Sequence, residues 1–286
     1  MLRSVFYAGS IGMGWPLAVL GYATWPVDRD VREPEVTRRY ENLSVSYNDC
    51  MRILPVTAAV EAPAAEADIV LVPGRAAYLP ATGTLLVADL HLGKAATFRS
   101  QGIPVPEGSA QKDLVRLARL VTATRARRLI VLGDLFHAKS GCTGEVFAEF
   151  SAARGGFADT EVLLVAGNHD RSVGRLPADL GIDSVLRTHD EPPFHFVHEP
   201  GTPLPEPDRD APFTIAGHLH PVVALASPSG DRFTDRCFVA EPGLLVLPAF
   251  GSFTGGHRVS PTDRSRVWIA RDDGVVDVSR LVQLAR

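Results

Sequence analysis

Short apolar runs that end in Asp, Asn or His recur along this chain, and they restrict its fold more than any other feature. The first run, residues 85–88, is followed by Asp89 and His91. A run of this length with polar residues and a glycine behind it suits a buried strand that ends at a site. Alternate side chains of an extended tip point the same way, so both residues can reach one ion. Alone, the pair has a plainer reading as a loop Asp beside a satisfied core His.

The same arrangement returns four times further along the chain, which changes the interpretation. Chance could supply any one of the clusters. Five clusters in order, each placed where an apolar strand ends, do not fit a set of core histidines. The polar groups that follow the five runs are Asp89 with His91, Asp134, Asn168 with His169, His198, and His218 with His220.

Strands and helices alternate between the first three clusters. Apolar positions 114, 117, 118 and 121 recur at helical spacing, and we expect Ser109 to cap that helix. A second helix is predicted around residues 145–153. This alternation predicts parallel strands with ligands at their carboxyl ends. Beyond about residue 194 helical periodicity is weak, and mostly β structure is predicted.

The residue types in the clusters indicate divalent metal ions. They offer oxygen and imidazole ligands, which suit Mn²⁺, Fe or Zn²⁺. The three cysteines form no CxxC pair, so a thiolate zinc site and a disulfide framework are both unsupported. Seven candidate ligands are too many for one ion and suit two ions that share a bridge. Two ions about 3.5–4 Å apart clamp the attacking and leaving oxygens of a displacement at phosphorus.

The ordered motifs resemble those of the calcineurin-like metallophosphoesterases, from about residue 56 to the C-terminus. Stretches 89–99, 102–106, 133–137 and 247–256 further resemble the bacterial ligase-associated DNA-damage-response endonucleases (PdeM type). The resemblance implies an α/β fold of two packed mixed β-sheets flanked by helices, a four-layer sandwich with a dimetal site at the carboxyl ends of the strands. The motifs are Asp89-x-His91, Gly133-Asp134, Gly167-Asn168-His169-Asp170, His198 and Gly217-His218-x-His220.

The resemblance also implies a role for each motif residue. Asp134 would bridge two metal ions, because a carboxylate has two oxygens; Mn²⁺ is the expected ion, with Fe or Zn²⁺ as alternatives. His169 would protonate the leaving oxygen as general acid, oriented by Asp170. His137 replaces an Asp of many superfamily members, and it is either a hydrogen-bond partner of a ligand or a surface residue. The other ligands would be Asp89, His91 and His220 for one ion and Asn168, His198 and His218 for the second.

Three basic residues lie beside the site residues in sequence. Lys94, Arg99 and Arg171 could contact substrate phosphates, and solvated surface charge is an equal alternative.

The motifs alone imply phosphoester hydrolysis, and the resemblance narrows this to an Mn²⁺-dependent endonuclease that cleaves single-stranded DNA in repair. A functional link to a helicase and an ATP-dependent DNA ligase is implied in the same way. A small-molecule phosphoesterase, such as a cyclic-nucleotide or nucleotide hydrolase, is the first alternative, and the net charge of −4 slightly favours it. A catalytically silent metal-binding scaffold is the second, against which the intact His169 argues.

The first 50 residues differ from the rest of the chain. Four glycines and a proline interrupt the apolar stretch 4–23, which is poor for a membrane-spanning helix, and residues 28–47 are charged without a clear period. We therefore predict a non-catalytic extension over residues 1–50 and a metallophosphoesterase domain over 51–286. A targeting segment is the alternative for the extension. The scattered cysteines favour a reduced, cytoplasmic setting.

Overall fold

Two mixed β-sheets packed face to face form the centre of the fold. The computed structural model describes residues 58–62, 67–105, 108–201, 211–226 and 232–284. The predicted extension, residues 1–50, lies outside the described residues. The sheets and the metal-centre loops are built from the described ranges, and the prediction of two packed mixed sheets with helices is confirmed.

The first sheet has seven strands that lie side by side in chain order. They are β1 (Ala58–Ala62), β2 (Ala67–Val72), β3 (Ala76–Leu79), β4 (Thr84–Val87), β5 (Arg128–Leu132), β6 (Glu161–Val165) and β7 (Ser184–Leu186). Strands β1 to β4 pair antiparallel, and β4 to β7 continue the sheet in parallel. Parallel neighbours need crossover connections, which the helices supply.

The second sheet has nine described strands and confirms the predicted β-rich second half. In space the order is β14-β11-β12-β13-β10-β9-β8, with β15 beside β12 and β16 beside β15. They are β8 (His189–Glu191), β9 (Phe194–Val197), β10 (Phe213–Ala216), β11 (Pro221–Ala226), β12 (Arg232–Glu241), β13 (Leu244–Val246), β14 (His257–Arg258), β15 (Arg266–Ala270) and β16 (Val275–Asp277).

Five α-helices are described, and two of their details differ from the sequence prediction. They are α1 (Lys94–Ser100), α2 (Ser109–Thr124), α3 (Gly144–Arg154), α4 (Asn168–Val173) and α5 (Ser279–Leu284). Ser109 does not cap α2, because Gly108 occupies the cap position in a left-handed conformation. Helices α1, α4 and α5 were not predicted, since each is too short to show an apolar period. Among these helices, none is long and apolar enough to span a bilayer.

The central strands β3 to β6 of the first sheet are buried on both faces, so alternate residues belong to different cores. In β4, Leu85 and Val87 pack with the apolar face of α2, and Leu86 packs against the second sheet. A third cluster on the outer face of the second sheet includes Val278 and packs against Val282 of α5. The helical layer on that face is therefore thin within the described ranges.

This topology brings the predicted ligand clusters to one end of the sandwich. The parallel strands β4, β5 and β6 end at the loops that carry Asp89, Asp134 and Asn168. In the second sheet, β9 and β10 are also parallel and end next to His198 and Gly217. Carboxyl ends of parallel strands meet at one edge of a sheet, which is where such folds place their sites.

Candidate metal centre

The backbone is strained at five of the seven candidate ligands. Each has a φ between 43° and 69°, and only Arg75 and Arg125 share a positive φ among the other described non-glycine residues. Such a conformation costs on the order of 1 kcal/mol or more per residue and clusters at functional sites. The strained ligands are Asp89, His91, Asp134, His218 and His220.

Glycines before the ligands allow side chains to approach the loops closely. A Cβ on Gly133 would lie 2.0 Å from His198 Nδ1, and one on Gly167 would lie 2.1 Å from Asp134 Oδ1. Both distances are far inside van der Waals contact, so only glycine fits at either position. The glycines of these motifs therefore shape the site itself.

The first cluster joins Asp89, His91 and His220, whose ligand atoms all lie within 4.8 Å of one another. His220 Nε2 lies 3.3 Å from His91 Nε2 and 3.3 Å from Asp89 Oδ1. Asp89 is fully buried, and its Oδ2 accepts a hydrogen bond from the backbone N–H of His218. Its Oδ1 has no hydrogen-bond partner in the described part of the chain. A buried carboxylate oxygen in that position is costly unless a cation satisfies it.

The second cluster joins Asp134, His198 and His218, again within 4.8 Å. His198 Nδ1–H donates to the Leu132 carbonyl at 2.9 Å, so Nε2 is the nitrogen that faces the cluster. That Nε2 lies 3.1 Å from His218 Nδ1 and 3.1 Å from Asn168 Oδ1. A hydrogen bond from the far ring nitrogen fixes the tautomer in this way at metal-binding histidines.

A single oxygen of Asp134 faces both clusters. Its Oδ2 lies 3.7 Å from His91 Nε2 and 3.5 Å from His198 Nε2, whereas Oδ1 accepts the backbone N–H of His169 at 2.9 Å. Burial alone would raise the pKa of Asp134, but the hydrogen bond and charge of His198 and the His169 N–H outweigh it and hold the pKa at about 2. The carboxylate is therefore ionised at neutral pH.

The charges around the histidines also suit a bound cation. Burial lowers the pKa of His91 to about 3, so its ring is neutral at pH 7. Burial would lower the pKa of His198 as well, but the Asp134 and Asp89 carboxylates outweigh it and raise that pKa. Positive charge is thus stabilised between the two carboxylates. The converging oxygen and nitrogen donors fit divalent metal ions.

His169 lies at the edge of this centre, in contact with His137. Its Nδ1–H donates to the His137 carbonyl, and the two rings stack with centroids 4.7 Å apart. His169 Nε2 lies 3.9 Å from Asp134 Oδ2, and the side chain is 35% exposed. His137 Nδ1 lies 3.3 Å from His91 Nδ1, which favours the reading of His137 as a partner of a ligand over a plain surface residue.

Asp170, which was predicted to orient the His169 ring, bonds to backbone groups in the structure, and its orienting role stays a prediction. Asp170 Oδ1 accepts the backbone N–H of Phe136 at 3.0 Å, and Oδ2 accepts that of Gly167 at 2.9 Å. Both oxygens are thereby committed to the two loops that flank the centre, and burial raises the pKa of this carboxyl. The His137 carbonyl is the group that holds the His169 ring. A backbone acceptor has no sequence signal, so the motif could not reveal it.

The three basic candidates occupy different surroundings. Lys94 is half-buried at the start of α1, and burial lowers the pKa of its amino group. Arg99 is exposed on the same helix. Arg171 is also exposed, and its guanidinium donates to the Ala166 carbonyl at 3.1 Å. Their contact with substrate stays a prediction.

A cleft of about 590 Å³ opens beside the centre and extends over the second sheet. It is bordered by Asp134, His218 and His220 at one end and by the segment 257–261 at the other. This segment was not identified from the sequence. The signal was weak, because the segment meets the centre only through backbone pairing, in which the His257 N–H donates to the His220 carbonyl.

The fold and the centre can be compared with known proteins. The crystal structure of the Pseudomonas putida nuclease MPE matches with a TM-score of 0.62 and 34% identity, over 77% of this chain and 99% of that protein. The Aquifex aeolicus protein AQ665, of unknown function, matches with a TM-score of 0.33 and 19% identity, over 48% of this chain and 78% of that protein. This weaker match supports none of the conclusions below. No protein-family model and no curated protein matches the chain.

Two mixed sheets with carboxylate and imidazole clusters at the strand ends define a metal-dependent phosphoesterase. One relative shares 34% of its residues and is covered almost in full. The chain belongs to the calcineurin-like metallophosphoesterases. The resemblance drawn from the ordered motifs is thereby confirmed at the level of the superfamily.

Proposed function

We propose that this phosphoesterase uses two metal ions to hydrolyse phosphodiester bonds of DNA, with Mn²⁺ as the working ion. The observation that carries the proposal is the position of Asp134 Oδ2, which faces both clusters within 3.7 Å of a histidine nitrogen in each. One shared anionic ligand between two donor sets is the arrangement that two-metal phosphoesterases need.

Seven residues would hold the ions. Asp134 would bridge them, and its Oδ2 is the oxygen that lies near histidine nitrogens of both clusters. The metal ions would supply charge neutralisation at the phosphoryl oxygens and an activated water. In this proposal one ion takes Asp89, His91 and His220, and the other takes Asn168, His198 and His218.

His169 would donate a proton to the leaving oxygen. Its Nδ1 is fixed as a donor to the His137 carbonyl, so Nε2 is the nitrogen free to exchange a proton with substrate. The ring is partly exposed, and ring stacking on His137 holds its plane. A substrate phosphate beside Asp134 would bring its leaving oxygen near this nitrogen.

The choice of DNA is supported by the similarity to a protein described as a nuclease. A single-stranded substrate, a role in repair, and a link to a helicase and an ATP-dependent DNA ligase follow from the subgroup resemblance of the motifs.

A small-molecule phosphodiesterase is the second candidate. The cleft of about 590 Å³ supports it, because this volume is typical of pockets that enclose a small ligand.

One assay separates the candidates. The protein is supplied with Mn²⁺ and given closed circular single-stranded DNA, its duplex form, cyclic nucleotides and bis-nitrophenyl phosphate. We expect linearisation of the single-stranded circle, which has no ends for an exonuclease, and loss of the reaction with chelator. Hydrolysis of cyclic nucleotides at a higher kcat/KM, with the circle left intact, would overturn the DNA proposal. An Asp134→Ala protein reports any contaminating nuclease.

A further inference from the structure

The cleft beside the metal centre has an apolar interior that the chemistry at phosphorus does not require. Val239, Leu244 and Val246 contribute apolar side chains from strands β12 and β13, and Val259 and Pro261 contribute from the segment after β14. This part of the cleft, together with Glu241, is called the side cleft below. A concave apolar surface with a few fixed polar groups is typical of a ligand pocket.

Glu241 is the acidic side chain of the side cleft, and its carboxylate is fixed in place. Oε1 accepts a hydrogen bond from the hydroxyl of Ser265, which is buried, and Oε2 accepts one from Thr262 at 3.3 Å. No described cationic side chain forms a salt bridge with Glu241. A carboxylate has about four acceptor positions, so acceptor capacity remains on both oxygens.

A negative charge next to a phosphodiester site is unfavourable unless it has its own partner on the ligand. Phosphate oxygens carry no hydrogen-bond donor and would be repelled by Glu241. The amino groups of cytosine, adenine and guanine are donors, and a carboxylate that accepts from cytosine N4 is a known pairing. The flat faces of the bases also match the apolar side chains of the side cleft.

We propose that the side cleft binds the base of the nucleotide whose phosphate lies at the metal centre, with Glu241 accepting a hydrogen bond from an exocyclic amino group. This inference rests on the proposed function and names the part of the substrate that the protein discriminates. Cytosine is then preferred over thymine, which carries the acceptor O4 where cytosine carries its amino group. Arg258, exposed at the rim of the same cleft, supplies positive charge for a neighbouring phosphate.

The first test measures binding by calorimetry to the protein supplied with Mn²⁺. The probes are dCMP, dTMP and inorganic phosphate. We expect dCMP to bind on the order of tenfold more tightly than dTMP, the effect of one hydrogen bond to a charged acceptor. Glu241→Gln should bring this ratio towards one, because an amide can also donate to thymine O4. Val259→Trp should weaken both nucleotides by filling the side cleft.

Inorganic phosphate is the internal control, because it needs only the metal centre. Its affinity should be unchanged in Val259→Trp, and it should not fall in Glu241→Gln, which only removes a charge that repels phosphate. Glu161→Gln removes the same charge at the amino end of β6, away from the centre, and should leave all three affinities unchanged. Equal binding of dCMP and dTMP by the wild-type protein, or a ratio that Glu241→Gln does not change, would overturn the proposal.

The second test compares cleavage of oligo-dC and oligo-dT strands, and it separates this inference from the proposed function. Faster cleavage of oligo-dC that is lost in Glu241→Gln supports both. Absence of DNA cleavage, with the dCMP preference intact, would refute the nuclease proposal and support a base site for free nucleotides. Equal cleavage of both strands, with equal binding of the two nucleotides, would refute the side cleft alone.

Discussion

The two ring nitrogens of His169 have different surroundings, and the difference decides what the residue can do. Nδ1–H is bound to the His137 carbonyl, whereas Nε2 lies 3.9 Å from Asp134 Oδ2 on the open side of the centre. Only Nε2 can therefore exchange a proton with a bound ester. A general acid matters most where the leaving group is a poor one.

His169→Ala should slow DNA cleavage on the order of 10²–10⁴-fold, the range for a positioned acid. Hydrolysis of bis-nitrophenyl phosphate should fall much less, because nitrophenolate leaves without a proton. Steady-state rates on both substrates, with the metal content of the purified variant, test this. Equal losses on both substrates would mean that His169 positions phosphate or metal instead.

Asp170 provides the contrast to His169. Its oxygens hold the backbone N–H groups of Phe136 and Gly167, so Asp170→Asn removes an acceptor from a loop and leaves the acid in place. Both substrates should then lose rate equally, alongside some loss of stability. Selective loss on DNA would instead support Asp170 as a partner of the His169 ring.

For single residues, the sequence predicts side-chain metal ligands well, and it predicts the hydrogen-bonding partners supplied by the backbone poorly. Asp89, His91, Asp134 and His218 could be named because each follows an apolar run directly, and the structure brings them together. The carbonyl of His137 could not be named, since every residue carries a carbonyl. The partners of Asp170 could not be named for the same reason, because they are backbone N–H groups brought close only by the fold.

The loop after β5 contains a glycine, Gly133, whose lack of a side chain leaves room for the candidate ligand His198. Gly133 has a φ of 77°, and a Cβ there would lie 2.0 Å from His198 Nδ1. Gly108 has a φ of 83° and nothing within 4 Å of the same position. The two glycines thus share the backbone conformation and differ only in their contacts.

Gly133→Ala should therefore lower the metal content of the protein, because His198 must move. Gly108→Ala should cost about 1 kcal/mol of stability from the left-handed backbone and leave metal content unchanged. Metal analysis of both variants, with unfolding in urea, tests this pair. Full metal content in Gly133→Ala would contradict the assigned role of His198.

A second loop, residues 250–254, is held by two half-buried guanidinium groups. Arg236 donates to the carbonyls of Gly251, Ser252 and Thr254, and Arg116 donates to that of Phe250. The backbone N–H of Gly251 in turn donates to the Asp89 carbonyl at 3.1 Å. These contacts tie the loop to the strand end that carries the first cluster.

Asp113 supplies negative charge to this network of arginines, and its removal should lower the free energy of unfolding. The carboxylate is 2% exposed and pairs with Arg116 at 2.8 Å and with the Ser252 N–H at 2.7 Å. Asp113→Ala removes the buried carboxylate from half-buried Arg116 and the acceptor from the Ser252 N–H, which should cost about 1–3 kcal/mol of unfolding free energy. Urea denaturation tests this, with exposed Asp159→Ala as a control expected to change stability by less than about 0.5 kcal/mol. A similar small change in Asp113→Ala would contradict the network.

Strands and helices could be predicted from the sequence where the spacing of apolar residues was clear. Strand β4 and helix α3 follow from an apolar run and from helical spacing. The structure has them over Thr84–Val87 and Gly144–Arg154, within about a residue of the predicted 85–88 and 145–153. Helix α1 was missed, because its packing depends on loop contacts distant in sequence. The order of strands in the second sheet was not predicted, since long-range pairing leaves no local period.

At the scale of the whole molecule, the domain boundary stays a prediction. None of the candidate ligands precedes residue 89, so a chain that starts at Met51 should fold and keep wild-type metal content and activity. Circular dichroism, metal analysis and the DNA assay on the shortened protein test this. An insoluble or inactive product would show that residues 1–50 pack on the domain.

The central claim is that two metal ions share Asp134, and metal stoichiometry tests it most directly. The wild-type protein, dialysed against Mn²⁺ and analysed for metal, should hold two ions per chain. Asp134→Ala should lose both, because the carboxylate that faces both clusters and lies between them is gone. All ester hydrolysis should disappear with them. A variant that retains two ions, or more than a few per cent of wild-type activity, would contradict the shared site.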